Sequence, residues 1–126
     1  MHTRTALRAL AVGAATALTL ALGAAPAQAG LQHCEHHANG KVCGWTAQNY
    51  SGYPVLEFVY WPGDLGQCQG APAGISSMWN RTSYVLRTYR STNCTGTPLV
   101  WSPNQARASM PGQTDNSTRT FRLSTS

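Results

Sequence analysis

Ionisable side chains are scarce in this 126-residue chain: aspartate and glutamate together number 4, and charged residues make up 10%. The four carboxylates are Glu35, Glu57, Asp64 and Asp115, a poor stock from which to build a glycosidase-type acid pair. Glu57 lies inside an apolar run and is expected to face solvent. There is no Gly-x-Ser-x-Gly elbow, and beyond residue 29 the histidines (His33, His36, His37) are confined to one short segment. Nucleophilic catalysis therefore lacks its partners, and the sequence reads as a non-enzyme. There is no basic run either. Arg81, Arg87, Arg90, Arg107, Arg119 and Arg122 stand singly, which argues against a nucleic-acid partner. No stretch keeps a 3.6-residue apolar period, so amphipathic helices are not expected. Beyond residue 29 no run is long and apolar enough to cross a bilayer.

What is present begins with a leader. Arg4 and Arg8 flank the start of an Ala/Leu-rich stretch, Ala9 to Ala25, and Ala27-Gln28-Ala29 supplies a small-x-small cleavage site. The expectation is a secretory signal peptide over 1–29 and one exported domain over 30–126, extracellular and free of the membrane once cleaved. Cys34, Cys43, Cys68 and Cys94 are an even set in a small exported chain, which reads as two disulfides. Of three possible connectivities, Cys34–Cys43 and Cys68–Cys94 are favoured. The first closes a short N-terminal loop, and the second ties the middle of the chain to a later hairpin. Each is worth about 3 kcal/mol by loop entropy, a large contribution for so small a core.

The chain also repeats itself. Trp45-Thr46-Ala47-Gln48-Asn49-Tyr50-Ser51-Gly52-Tyr53-Pro54-Val55 returns 44 positions later as Tyr89-Arg90-Ser91-Thr92-Asn93-Cys94-Thr95-Gly96-Thr97-Pro98-Leu99. A fixed-period echo of this kind marks two copies of one supersecondary unit, each too small to bury its apolar face alone. Short β-branched and aromatic runs between turn residues predict an all-β domain. The expected strands are 42–46, 54–60, 77–80, 84–89, 98–102 and 117–123. In the last, Phe121 and Leu123 point one way and Thr120 and Arg122 the other. Gly52 and Gly96 sit at the hairpin turns, where positive φ favours glycine. Antiparallel strands with one long return connection make a Greek key, and two such units packed face to face make a small sandwich.

Trp45-x-x-x-x-Tyr50-x-Gly52 with a later Ser77 resembles the Greek-key signature of βγ-crystallin domains, in which an aromatic corner packs over the hairpin and the serine pins it. Tyr89-x-x-x-x-Cys94-x-Gly96 with Ser117 is the second copy, a cysteine replacing the second aromatic. More narrowly, the order of motifs is similar to the secreted family typified by the Streptomyces metalloproteinase inhibitor. Those motifs are Cys34…Gly40…Cys43, then Asn49 to Gly52, then Ser76-Ser77…Asn80, then Tyr89 to Gly96. The resemblance implies a βγ-crystallin-like Greek-key sandwich of two pseudo-repeated units that blocks an extracellular protease, of the metalloprotease class. It departs from the inhibitory branch in one respect: the second hairpin, 91–97, is short, and Cys94 is its only cysteine.

An inhibitor of the substrate-like kind needs an exposed segment held rigid, because rigidity removes the ordering cost of binding. Two segments qualify: Asn93-Cys94-Thr95-Gly96, and Asp64-Leu65-Gly66-Gln67 ahead of Cys68, with Leu65 as an apolar anchor. Stapled ordinary turns are the alternative for both. The expected partner is an extracellular protease met by a monomer, with no cofactor. A second class stays open on the same fold: an antimicrobial, killer-toxin-like or glycan-binding module, favoured if two or three of Tyr53, Tyr60, Trp61, Trp79 and Trp101 line one exposed face. His33-Cys34-Glu35-His36-His37 has zinc-ligand chemistry, but oxidation of Cys34 removes the thiolate, and no metal site is expected. Calcium sites of the crystallin kind use paired Asn/Asp residues. Pro72-Ala73 and Gly112-Gln113 at the expected places offer no such oxygens. The Asn-x-Ser/Thr sites at Asn49, Asn80, Asn93 and Asn116 are read as turn asparagines.

Overall fold

The structure, a computed structural model, describes residues 30–112 and 115–126. The leader inferred from sequence lies outside these described residues. Among them the chain forms strands β1 (Lys41–Trp45), β2 (Leu56–Val59), β3 (Gln69–Gly70), β4 (Ser77–Arg81), β5 (Val85–Tyr89), β6 (Leu99–Trp101), β7 (Ala106–Arg107) and β8 (Thr120–Ser124). Two antiparallel four-stranded sheets result, with orders β2-β1-β4-β7 and β3-β8-β5-β6. Written from the edge inward, these are the same arrangement twice. Each repeat lends its third strand to the other repeat's sheet: β3 pairs β8, and β7 pairs β4. Neither β3 nor β7, two residues each, was expected from the sequence. So short a strand has no alternation to read.

The hairpin corners explain the repeat. Tyr50 and Cys94 both adopt left-handed backbone, φ 56° and 55°, and Gly52 and Gly96 follow at φ 80° and 91°. Holding Tyr50 in that region costs free energy, so the corner needs external pins. The Tyr50 N–H donates to Ser77 Oγ at 3.2 Å, and the Ser77 hydroxyl donates to the Ala47 carbonyl at 2.7 Å. In the second copy the Cys94 N–H donates to Thr120 Oγ1 at 3.2 Å, and the Thr120 hydroxyl donates to the Ser91 carbonyl at 2.9 Å. The second pin is therefore Thr120 and not Ser117, because β8 opens three residues later than the sequence pattern suggested. Ser77→Ala and Thr120→Val should each lose about 1–3 kcal/mol of unfolding free energy, since each strands a buried N–H and a carbonyl. Matched losses in urea titrations would show that the two corners are energetically equivalent.

Between the sheets lie Val42, Leu56, Ile75, Met78, Leu86, Trp101, Phe121 and Leu123, with Tyr60 and Met110 at the margins. The alternation expected for β8 holds: Phe121 and Leu123 are buried, and Arg122 faces outward beside Arg87. A second cluster covers the outer face of the first sheet. There Cys34, Cys43, Trp45 and Tyr50 pack with Leu31, Trp79 and Ala108. The Trp45 and Tyr50 rings meet edge-on, 5.3 Å between centroids. The Cys34–Cys43 bridge (Cα–Cα 6.0 Å) holds the 30–36 segment onto this face. Gly30 is required there, because a Cβ at that position would lie 1.3 Å from the Tyr50 carbonyl oxygen.

Tyr60 packs on Tyr84 with ring centroids 4.7 Å apart. The hydrogen bond with Tyr84, then burial, push the Tyr60 phenol up to about 12. A group whose ionisation is postponed by folding contributes stability below its unfolded pKa and loses it as pH rises through the folded value. Stability should therefore hold to about pH 10 and decline between about 10 and 12. Ultraviolet titration at fixed denaturant measures this.

Candidate functional site

The two candidate loops, far apart in sequence, are joined by one covalent link. Cys68 at the end of the first loop is bridged to Cys94 at the corner of the second, with Cα atoms 5.8 Å apart. Cys94 is buried and Cys68 is exposed. Both disulfides thus have the connectivity favoured from sequence.

The first loop is braced by its own backbone. The Trp61 N–H donates to Asp64 Oδ2 at 2.9 Å, the Asp64 N–H to the Trp61 carbonyl at 2.8 Å, and the Gln67 N–H to the Asp64 carbonyl at 3.0 Å. The Gly66 N–H donates to the Leu123 carbonyl at 2.8 Å, which docks the loop on β8. Leu65 packs against the main core, so it fastens the loop from below. Gly66, Gln67 and Cys68 are what the loop shows to solvent.

In the second loop, the Ser91 hydroxyl accepts from the Thr95 N–H at 2.9 Å and donates to the Thr95 carbonyl at 2.8 Å. Thr95 Oγ1 donates to Asn93 Oδ1 at 2.6 Å. With Cys94 at positive φ, Asn93 to Gly96 is a closed left-handed corner rather than an extended strand, and the polar backbone groups of Thr95 are already used within it. Asn93, Thr95, Gly96 and Thr97 are exposed, beside an open concavity of about 580 Å³ lined by Arg90, Thr95, Gly96 and Leu99 among others. The loop presents a rigid shape and leaves few backbone groups free for pairing.

The histidine segment does not converge on a metal. Cys34 is in its disulfide, the His33 ring stacks on Tyr53 at 4.0 Å, and His37 meets Trp61 edge-on at 5.9 Å. Among the described residues no three His, Cys, Asp or Glu groups come together. The crystallin-type calcium positions need a change of register. Because Thr120 is the counterpart of Ser77, the paired positions in the second unit are Asp115-Asn116, not Gly112-Gln113; Gln113 itself lies outside the described residues. The Ser76 hydroxyl donates to Asn116 Oδ1 at 3.1 Å, turning these groups toward each other. The matching crossing holds Ala73 and Arg119, a methyl and a cation. Asp115 Oδ1 is buried without a hydrogen-bond partner. Paired side-chain oxygens of the calcium-binding kind are thus present at the second unit's crossing and absent from the first.

Sequence reading missed one juxtaposition. Arg87 and Arg122, treated as isolated, stand directly opposite each other on β5 and β8, and Arg87 Nη1 donates to Ser124 Oγ. Only strand register brings them together. Among the described residues the ion pair formed is Lys41–Glu57, 2.8 Å, which places Glu57 outward as expected. Trp101 is fully buried, whereas Tyr53 and Trp61 remain 77% and 57% exposed.

Two crossed Greek keys with pinned corners define a βγ-crystallin-like sandwich. Among solved structures, it is similar to a βγ-crystallin domain of Abundant Perithecial Protein from Neurospora crassa in its Ca²⁺-bound form. Identity there is 17%, with 71% of this chain and 93% of that one covered and a TM-score of 0.51. A mutant βγ-crystallin domain from Clostridium beijerinckii gives 15% identity, 68% and 99% coverage, and a TM-score of 0.49. No curated protein matches. The family model of peptidase inhibitor family I36 matches residues 27–101, and the chain belongs to that family. It is accordingly a peptidase inhibitor, a non-enzyme whose partner is a protease.

Proposed function

We propose that the chain is exported by its leader, residues 1–29, and acts as a monomeric extracellular inhibitor that occludes a metalloprotease with the joined surface of loops 64–68 and 91–97. The observation that carries this reading is the Cys68–Cys94 bridge, which fastens both loops into one unit. Internal hydrogen bonds hold each loop in one shape, so little conformational freedom is lost on binding. Asn93, Thr95, Gly96 and Gln67, all exposed, are the contact residues in this reading, with Leu65 packed beneath them against the core. The target class comes from the family resemblance, and the mode is steric, with no reactive side chain required.

Inhibition assays with the exported protein against thermolysin-type and subtilisin-type enzymes test the reading. Stoichiometric inhibition of the metalloenzyme is expected, and no effect on either at micromolar excess removes it. A second reading, a glycan-binding or antimicrobial module, draws on the exposed Tyr53 and Trp61 rings. A glycan array with Tyr53→Ala and Trp61→Ala variants separates the two, because the inhibitor reading predicts unchanged inhibition in both.

A further inference from the structure

His36 and His37, which the inhibitory surface does not use, line a second cavity of about 220 Å³ together with Asn39, Arg81, Ser83 and Asn104. Three stretches of chain meet there: the segment held by Cys34–Cys43, the turn between β4 and β5, and the turn after β6. Its one permanently charged wall group is Arg81, and no carboxylate lines it. Arg81 Nη1 donates to the Cys34 carbonyl at 2.5 Å, and the guanidinium lies over the Trp79 ring at 4.6 Å. These contacts fix the plane of the charge without neutralising it. No described carboxylate is within ion-pair distance of Arg81.

The rest of the wall is rich in donors. His37 Nδ1 accepts from the Asn39 N–H at 3.2 Å, which places the ring proton on Nε2. The Thr82 hydroxyl is occupied by Asn80 and Tyr84. The Ser83 hydroxyl and the side-chain amides of Asn39 and Asn104 have no hydrogen-bond partner among the described residues. A fixed, uncompensated guanidinium surrounded by free donors is complementary to an oxyanion. Donors arriving from three stretches of chain suit a tetrahedral group better than a flat carboxylate, which the guanidinium fork alone would satisfy.

We propose that this cavity binds a tetrahedral oxyanion, a phosphate or sulfate group, at a site sharing no residue with the inhibitory loops. The site and the inhibition are separable, so either can fail alone.

The test is a nuclear magnetic resonance titration of the ¹⁵N-labelled exported protein with sodium phosphate, sodium sulfate and sodium acetate, ionic strength being held with chloride. Phosphate or sulfate should give saturable shifts confined to amides 36–40, 81–83 and 104. Which of the two binds more tightly identifies the source. Asn104 has φ 59°, which aspartate tolerates as asparagine does, so Asn104→Asp adds a negative charge to the rim without straining the turn. It should weaken binding about tenfold or more. Ser83→Asp, at an exposed turn position, provides the same charge from another side. Shifts that never saturate, acetate binding as tightly as phosphate and sulfate, or full affinity in both variants would overturn the proposal.

Discussion

The double substitution Cys68→Ser and Cys94→Ser is expected to weaken inhibition at least about tenfold and to cost about 3.5 kcal/mol of stability. The bridge spans 26 residues and closes the longer of the two disulfide loops. Its loss frees the denatured chain, which is the source of the stability term. The functional term has a different origin. Cys94 sits at φ 55°, a backbone region unfavourable to a non-glycine residue, and the bridge is one of the restraints holding it there. The hydrogen bond to Thr120 remains, so the corner should loosen rather than invert. Cys34→Ser with Cys43→Ser is the control. That bridge has a sequence separation of 9 and lies under the N-terminal segment, so it should cost about 2.7 kcal/mol and leave inhibition intact. Urea titrations and inhibition constants, taken where both variants stay folded, separate the two effects. Unchanged inhibition without Cys68–Cys94 would detach the rigid-loop mechanism from this surface.

Asn80→Ala should be among the costliest single changes in the domain, at about 3–4 kcal/mol. Asn80 is fully buried in β4. Its Nδ2 donates to the carbonyls of Tyr84 at 2.8 Å and Ser102 at 3.0 Å. Its Oδ1 accepts from the Thr82 hydroxyl at 2.7 Å and the Thr82 N–H at 3.3 Å. One side chain thus ties the turn after β4 to the turn after β6. Alanine removes all four bonds: the Ser102 carbonyl keeps the Gln105 N–H and the Tyr84 carbonyl keeps the Thr82 hydroxyl, but the Thr82 N–H loses its acceptor and the two turns lose their tie. Asn80→Asp fills the same volume but presents oxygen where the carbonyls need a donor, and should be no better. A lowered urea midpoint with an unchanged slope in both variants is the expected signature. The same two turns wall the cavity around Arg81, so anion binding should fall along with stability.

Most of the architecture was legible because it was stated twice. The echo between Tyr50 and Cys94, and between Gly52 and Gly96, marks the corners correctly since positive φ restricts the residues allowed there. The bridges were readable from chain logic. What escaped was whatever depends on partners distant in sequence. β3 and β7 exist only because another sheet edge receives them. The sequence pattern points to Ser117, which matches Ser77 in type, whereas geometry selects the hydroxyl that reaches the corner, that of Thr120. Asn80, grouped with turn asparagines, proved to be a buried strand residue in a sequence that otherwise looks open to glycosylation. Asn49 and Asn116, by contrast, do occupy left-handed turns, φ 58° and 57°. For the site, both loops and the Cys68–Cys94 bridge between them were legible, whereas the Arg81 cavity has no local signature at all.

The exchange of third strands has a last consequence for a molecule whose partner is a protease. A cut in the turn between β4 and β5 would sever the backbone, yet the halves would stay entwined through β3 and β7 and shackled by Cys68–Cys94. Such a nicked particle could re-close its surface instead of drifting apart, so damage at that point would not disarm it.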